Sequence, residues 1–289
     1  MHRWRDTAGH SLRLVSERPE LWVPGALAWI ASVGWIPFVV AVVRPPSVAE
    51  LTFLGARLVT SGAWPWNAVL IGVALATLVI VAFAVTAGAN AVVMALLAQG
   101  AASWSDVRRI LAVNLVAALP AVLSAMVVVV ALSGVAPHEF NAPDPAGGPV
   151  LRTLVRLLPY LALLGVTSAV GAALAAVAGR LAVERRLGVV QALRSAPAAT
   201  FRAVVASHAV VAFVAQLAYL AFCALLLTVL WAPIDTQLAV GGGLDVATGL
   251  LLVGFVAIWL CLVLAGGALH AWSAATWSRL LATDASGRT

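Results

Sequence analysis

Residues Trp66 to Leu97 read WNAVLIGVALATLVIVAFAVTAGANAVVMALL, thirty-two residues without a single charge. As a helix rising about 1.5 Å per residue, this stretch is longer than the ~30 Å hydrocarbon core of a bilayer. Its apolar side chains follow no two-residue alternation, so a barrel strand is excluded. In lipid, only a helix satisfies every backbone N–H and C=O internally.

The same texture extends in both directions. No charged residue lies between Arg57 and Asp106, Arg156 and Arg180, Arg202 and Asp235, or Asp245 and Arg279. Across all 289 residues, 63% are hydrophobic and only 10% charged, against about 25% charged in ordinary soluble domains. The mean hydropathy is +1.05. A soluble enzyme, a secreted disulfide scaffold and a nucleic-acid-binding domain are all excluded by this balance. Six segments are long and apolar enough to span: Leu21–Val43, Trp66–Leu97, Ile110–Val135, Leu157–Gly179, Ala203–Trp231 and Val246–Thr276. The sequence therefore predicts an all-α membrane fold, a single six-helix integral domain over residues 1–289.

Charge fixes the expected orientation. All 17 basic residues are arginine. With the N-terminus inside, the inner segments carry Arg3, Arg5, Arg13, Arg18, Arg108, Arg109, Arg180, Arg185, Arg186, Arg194, Arg202, Arg279 and Arg288. Only Arg44, Arg57, Arg152 and Arg156 fall outside. Such a positive-inside bias predicts a multi-pass protein of the cytoplasmic (inner) membrane with both termini cytoplasmic. Trp22, Trp64, Trp66, Trp104, Trp231, Trp272 and Trp277 sit near span ends, where an indole favours the headgroup level. Ala136–Gly148 and Pro233–Gly243, rich in Pro and Gly, read as outer loops. The polar start of the chain, Met1 to Glu20, is too long for a signal-peptide n-region, and no cleavage is expected.

Three inner stretches mix arginine with apolar residues: Ser11–Trp22, Ser105–Leu111 and Gly188–Ser195. Each reads as an amphipathic helix lying in the interface before spans 1, 3 and 5, which suggests three hairpins related by a weak repeat. At these residues the chain resembles a known family. Arg18-Pro19-Glu20-Leu21, and Gln191-Ala-Leu-Arg-Ser195 before a long fifth span, look like features of bacterial six-helix membrane proteins. That family includes the membrane domain attached to some glycerophosphodiester phosphodiesterases and stand-alone relatives. The resemblance implies the fold alone; the phosphodiesterase barrel is a separate soluble domain, so no catalytic residue carries over.

Polar groups inside spans are costly and mark functional candidates. The proposed spans contain no Asp, Glu or Arg, which argues against ion-coupled transport through buried carboxylates and against charge-ringed pores. Asn90, Asn114, His208 and His270 lie in the inner halves of four spans and form the candidate polar pocket, for a headgroup, a metal or a small ligand. Interhelical hydrogen bonding is the competing role for the same residues. Two histidines alone make a poor zinc site, so no metal or other cofactor is expected. On the fifth span His208, Gln216, Tyr219 and Cys223 share one side. Cys223 and Cys261 read as small hydrophobes. His138, Glu139 and Asp144 make a weaker outer trio. Ser168, Ala172 and Ala176 recur every fourth residue, predicting close helix contact, and Pro24, Pro37 and Pro120 predict kinks.

Without a nucleophile elbow or phosphate-binding loop, the chain reads as non-catalytic. The expectation is a membrane component that organises partners or lipids. Arg185, Arg186 and Arg194 supply a cytoplasmic docking surface for anionic lipid or an acidic protein. The alternative is the permease subunit of an ATP-driven exporter, its ATPase partner met by Gly188–Ser195. An intramembrane lipid enzyme using His208 and His270 ranks third.

Overall fold

The structure, a computed structural model, describes residues 2–44, 50, 53, 57, 60–141, 148–239 and 245–286. Every regular element among them is helical. In chain order these are α1 (His2–Glu17), a 3-10 turn (Pro19–Leu21), α2 (Trp22–Trp29), a π turn (Ile30–Gly34), α3 (Ile36–Val42) and α4 (Trp66–Leu97). There follow α5 (Trp104–Asn141), α6 (Pro149–Glu184), α7 (Val189–Thr200), α8 (Ala203–Ala239) and α9 (Val246–Ser286). Five helices are long and apolar enough to cross a membrane; α2 and α3, bent by 54°, make a sixth if they are one span. The chain is thus an integral membrane protein of several apolar helices.

The helices overrun the lengths expected from hydropathy, because helical hydrogen bonding continues where apolar composition stops. Arginine and glutamate are good helix formers. Ser105–Leu111, expected as a separate interfacial helix, lies in the first turns of α5. Ala136–Asn141 and Pro233–Ala239, expected as loop, are helical. The remainder of those two loops, apart from Gly148, lies outside the described residues, as does Asp144. Pro120 sits within an unbroken α5. Pro37 does mark a break, since it has no N–H for the Val33 carbonyl and opens α3 where the chain bends by 54°.

The last residues of α4 close in the manner expected at a helix C-terminus. Gln99 takes φ 54, letting Gly100 N–H reach the Ala95 carbonyl at 2.8 Å and Gln99 N–H reach Leu96 at 3.2 Å. At its start, α9 is capped by Asp245, whose Oδ1 accepts the Thr248 N–H at 2.7 Å. Hydrogen bonds from the Thr248 side chain and then from its backbone N–H hold the Asp245 carboxyl below its usual value of 3.8.

Packing divides the chain into two compact units, Met1–Ser103 with Val210–Thr276, and Trp104–Ala209 with Trp277–Thr289. In the first, α1 buries Ala8, Ser11 and Val15 on one face. The N-terminal helix is therefore docked on protein along that face. Val15, Leu21, Val93, Ala271, Ala274 and Ala275 form one cluster, and Trp22 and Trp272 donate their indole N–H groups to the Val15 and Ala8 carbonyls. Helix α2 meets α9 almost backbone to backbone. A Cβ on Gly267 would lie 2.7 Å from Ala26 Cα, and one on Gly266 would lie 2.5 Å from the Trp29 ring. The indole of Trp29 is flanked by Gly34 as well, with Tyr219 tilted against it at 5.7 Å. By contrast, residues 69–81 of α4 are exposed on every side.

The second unit is built on an antiparallel hairpin of α5 and α6. Arg109 reaches the Ala182 carbonyl, and Gly171 faces the Ala117 carbonyl, where a Cβ would come to 2.7 Å. Further along, Thr167 Oγ1 bonds Ser124 Oγ at 3.1 Å and Arg152 meets Glu139 at 2.9 Å. The close approach runs through Thr167 and Gly171. Ser168 and Ala172, expected to form it, are exposed one position away. A four-residue repeat of small side chains is ambiguous by one register until the partner helix is known.

Candidate functional site

The four polar span residues separate between the units. In the first, α4 and α9 bring Asn90 and His270 together, Nε2 of His270 lying 2.9 Å from Oδ1 of Asn90. Both side chains are half-buried. Small residues flank the pair: Ala87, Ala89 and Ala91 on α4 and Ala271 on α9 are all buried. With the amide oxygen turned to the ring, Nε2 carries the proton and donates it. The pair thus satisfies two polar groups across a helix–helix contact in an apolar setting.

Lower-polarity partners surround Tyr219, whose hydroxyl donates to the Leu262 carbonyl at 2.7 Å. Cys223, one turn on, is buried, whereas Cys261 is exposed. The indole nitrogens of Trp29 and Trp259 are buried without an acceptor among the described residues. They share the cluster around Ala26, Trp29 and Val263, a feature that sequence position alone did not single out.

In the second unit His208 is fully buried, its ring edge-on to Trp277 at 4.8 Å and 73°. Trp277, expected at the headgroup level, is itself 5% exposed and serves as a packing surface for that histidine. Next to it in sequence, Ser278 Oγ accepts from Arg180 Nε at 3.2 Å, while Arg180 Nη1 donates to the Ala176 carbonyl at 2.7 Å. Arg180 is buried, although an arginine at a span end is ordinarily read as solvated. Asn114, on α5, is half-buried. Among the described residues no group of three or more His, Cys, Asp or Glu is placed to hold a metal ion.

Charge gathers in two further places of this unit. Glu139 is buried; its Oε2 accepts the Arg152 Nε–H at 2.9 Å, and its Oε1 forms an ion pair with Arg156 Nε at 2.6 Å. Arg152 Nη2 also donates to the Glu139 backbone carbonyl at 2.9 Å. The spacing of Arg152 and Arg156, one helical turn apart, is the sequence signal for this cluster. Reading Glu139 as loop hid it. At the other end of α6, Arg185, Arg186 and Arg194 are exposed. Arg185 Nη2 donates to the Leu281 carbonyl at 3.2 Å, and Arg186 takes φ 53 where α6 stops.

No protein-family model, curated protein or solved structure matches this chain.

Proposed function

We propose that the protein is a non-catalytic membrane component that organises lipids or protein partners at the cytoplasmic face of a bacterial inner membrane. The observation that carries this reading is the exposure of Arg185, Arg186 and Arg194 together, on a stretch from Arg185 to Arg202 that contains no acidic residue. Arginine counting puts this stretch, and both termini, on the cytoplasmic side. The polar residues of the spans support the same reading, because Asn90 with His270 and Ser124 with Thr167 hold helices to one another. The resemblance to six-helix membrane domains of glycerophosphodiester phosphodiesterases fits a membrane component without its own active site.

Purification from native membranes in mild detergent, followed by mass spectrometry of what is retained, tests the proposal. Retained lipid or protein should be lost when Arg185, Arg186 and Arg194 are all replaced by alanine. Retention unchanged by that replacement refutes docking through these residues. A second reading, the permease subunit of an ATP-driven exporter, is favoured by α7 alone, a separate 12-residue helix between two membrane-length ones. ATP-dependent efflux with a co-purifying ATPase supports it, and an absent ATPase counts against it.

A further inference from the structure

The two faces of α7 differ in a way that specifies a partner. Ala192, Ala196, Ala199 and Thr200 are buried on one side, where the helix packs on α6 and α5. On the other side Val190, Arg194, Pro197 and Phe201 follow at spacings of four, three and four residues and form one outward stripe. Phe201 continues the helical path, its N–H bonded to the Pro197 carbonyl at 3.0 Å. Two large apolar side chains of this stripe stand open, Val190 at 63% and Phe201 at 67% exposure. Both chain ends of α7 lead into membrane-length helices, α6 ending at Glu184 and α8 beginning at Ala203. The helix is thereby tied at both ends to membrane-length helices.

We propose that α7 is an anchor for anionic lipid. Val190 and Phe201 enter the boundary between headgroups and acyl chains, and Arg186 and Arg194 attract the phosphates of anionic headgroups. The proposal rests on the docking role given above to these arginines and commits it to lipid. An outward stripe that combines apolar bulk with an arginine, beside the exposed Arg186, fits a bilayer surface, apolar below and anionic above. A purely acidic protein surface offers nothing to Val190 and Phe201. The absence of any carboxylate between Arg185 and Arg202 makes the charge complementary to phosphate along the whole stretch.

The test uses the full chain. Native mass spectrometry of the detergent-solubilised protein titrated with dioleoyl phosphatidylglycerol, and separately with dioleoyl phosphatidylcholine, gives the preference for the anionic lipid. In vesicles of the two lipids, a nitroxide at Val190→Cys, in a Cys261→Ser background, reports depth by its relative exposure to oxygen and to a water-soluble nickel relaxant. The expected result is a phosphatidylglycerol preference that falls about fivefold for each arginine removed in R186A/R194A. The nitroxide should be shielded from nickel. Phe201→Ser, which keeps every charge, should raise nickel exposure while leaving helical content unchanged by circular dichroism.

An unchanged lipid preference in R186A/R194A overturns the proposal, as does a nickel-exposed nitroxide in the unsubstituted background. Capture of an acidic protein that is lost in R186A/R194A, with lipid preference unaltered, also overturns it while leaving the docking reading intact. Loss of neither protein nor lipid refutes both.

Discussion

Neutralising Glu139 by substitution with glutamine should destabilise the α5–α6 hairpin by roughly 3 kcal/mol, worked from hydrogen bonds to charged groups at about 1.5–3 kcal/mol each. The two ion pairs contribute unequally. The Glu139 side chain is 3% exposed and that of Arg152 22%, so this pair is shielded from solvent. Arg156 is 57% exposed, and its share is expected to be under about 1 kcal/mol. Glutamine preserves the shape and one acceptor, and the bond from Arg152 Nη2 to the backbone carbonyl survives, so the change isolates the lost charge. The assay is reversible unfolding in mixed micelles titrated with sodium dodecyl sulfate, applied to the single variants E139Q, R152Q and R156Q and to the doubles. The coupling between Glu139 and Arg152 should exceed about 1.5 kcal/mol and resist added salt, while that between Glu139 and Arg156 should be smaller and fade with salt. A larger coupling to Arg156 than to Arg152, or a cost for E139Q below about 0.5 kcal/mol, would show that burial does not set the worth of this cluster.

Three further outcomes are expected. Gly267→Leu drives a side chain into the backbone of Ala26 and should cost at least about 1–3 kcal/mol in the same unfolding assay, whereas Gly72→Ala, with no atom within 4 Å, should gain about 0.5–1 kcal/mol. N90A and H270A should each be destabilising and non-additive, with a coupling of about 0.6–1.7 kcal/mol; additivity would mean that the 2.9 Å contact carries no energy. The Asp245 carboxyl is depressed in the folded chain, so its capping stabilises above the ordinary value of 3.8 and is lost as pH falls through the lowered one. Hydrogen exchange at the Thr248 amide should accelerate over that acid range in the native chain and show no such titration in D245N.

Composition made the helical membrane class plain, and Trp66–Leu97 is reproduced end for end because Pro65 and the Gln99–Gly100 turn bracket its apolar run. The other long helices were cut short in the reading of the sequence. Hydropathy reports where lipid contact ends, and a helix continues past that point through Arg108, Glu139 or Glu184 without losing a hydrogen bond. The polar candidates show a similar split. That Asn90 and His270 lie near corresponding ends of their spans was legible from position; that they touch depends on which helices are neighbours, which position along one helix does not encode. Trp277 looked like a headgroup anchor and is a packing surface for His208, since position along a helix gives depth but not which way a side chain turns. Arg186 and Arg194 were legible as exposed charge, whereas the stripe that Arg194 shares with Val190 and Phe201 needed the buried face of α7 to be identified first.

The bend between α2 and α3 carries a consequence for bilayer thickness if the two limbs make one span. Pro19–Gly34 and Ile36–Val42 meet at 54°. At about 1.5 Å per residue the two limbs measure roughly 24 Å and 10 Å, and the tilted second limb adds only about 6 Å of depth to the first. Their joint reach is then about 30 Å, the thickness of an average hydrocarbon core, with nothing to spare. The straight spans, 29 to 37 residues long, have surplus length that tilting can absorb. Trp29, wedged between Gly34 and Gly266, fixes the first limb against α9, and a span made of these two limbs has no surplus length. Lipids with longer acyl chains should therefore strain the protein first at this one helix.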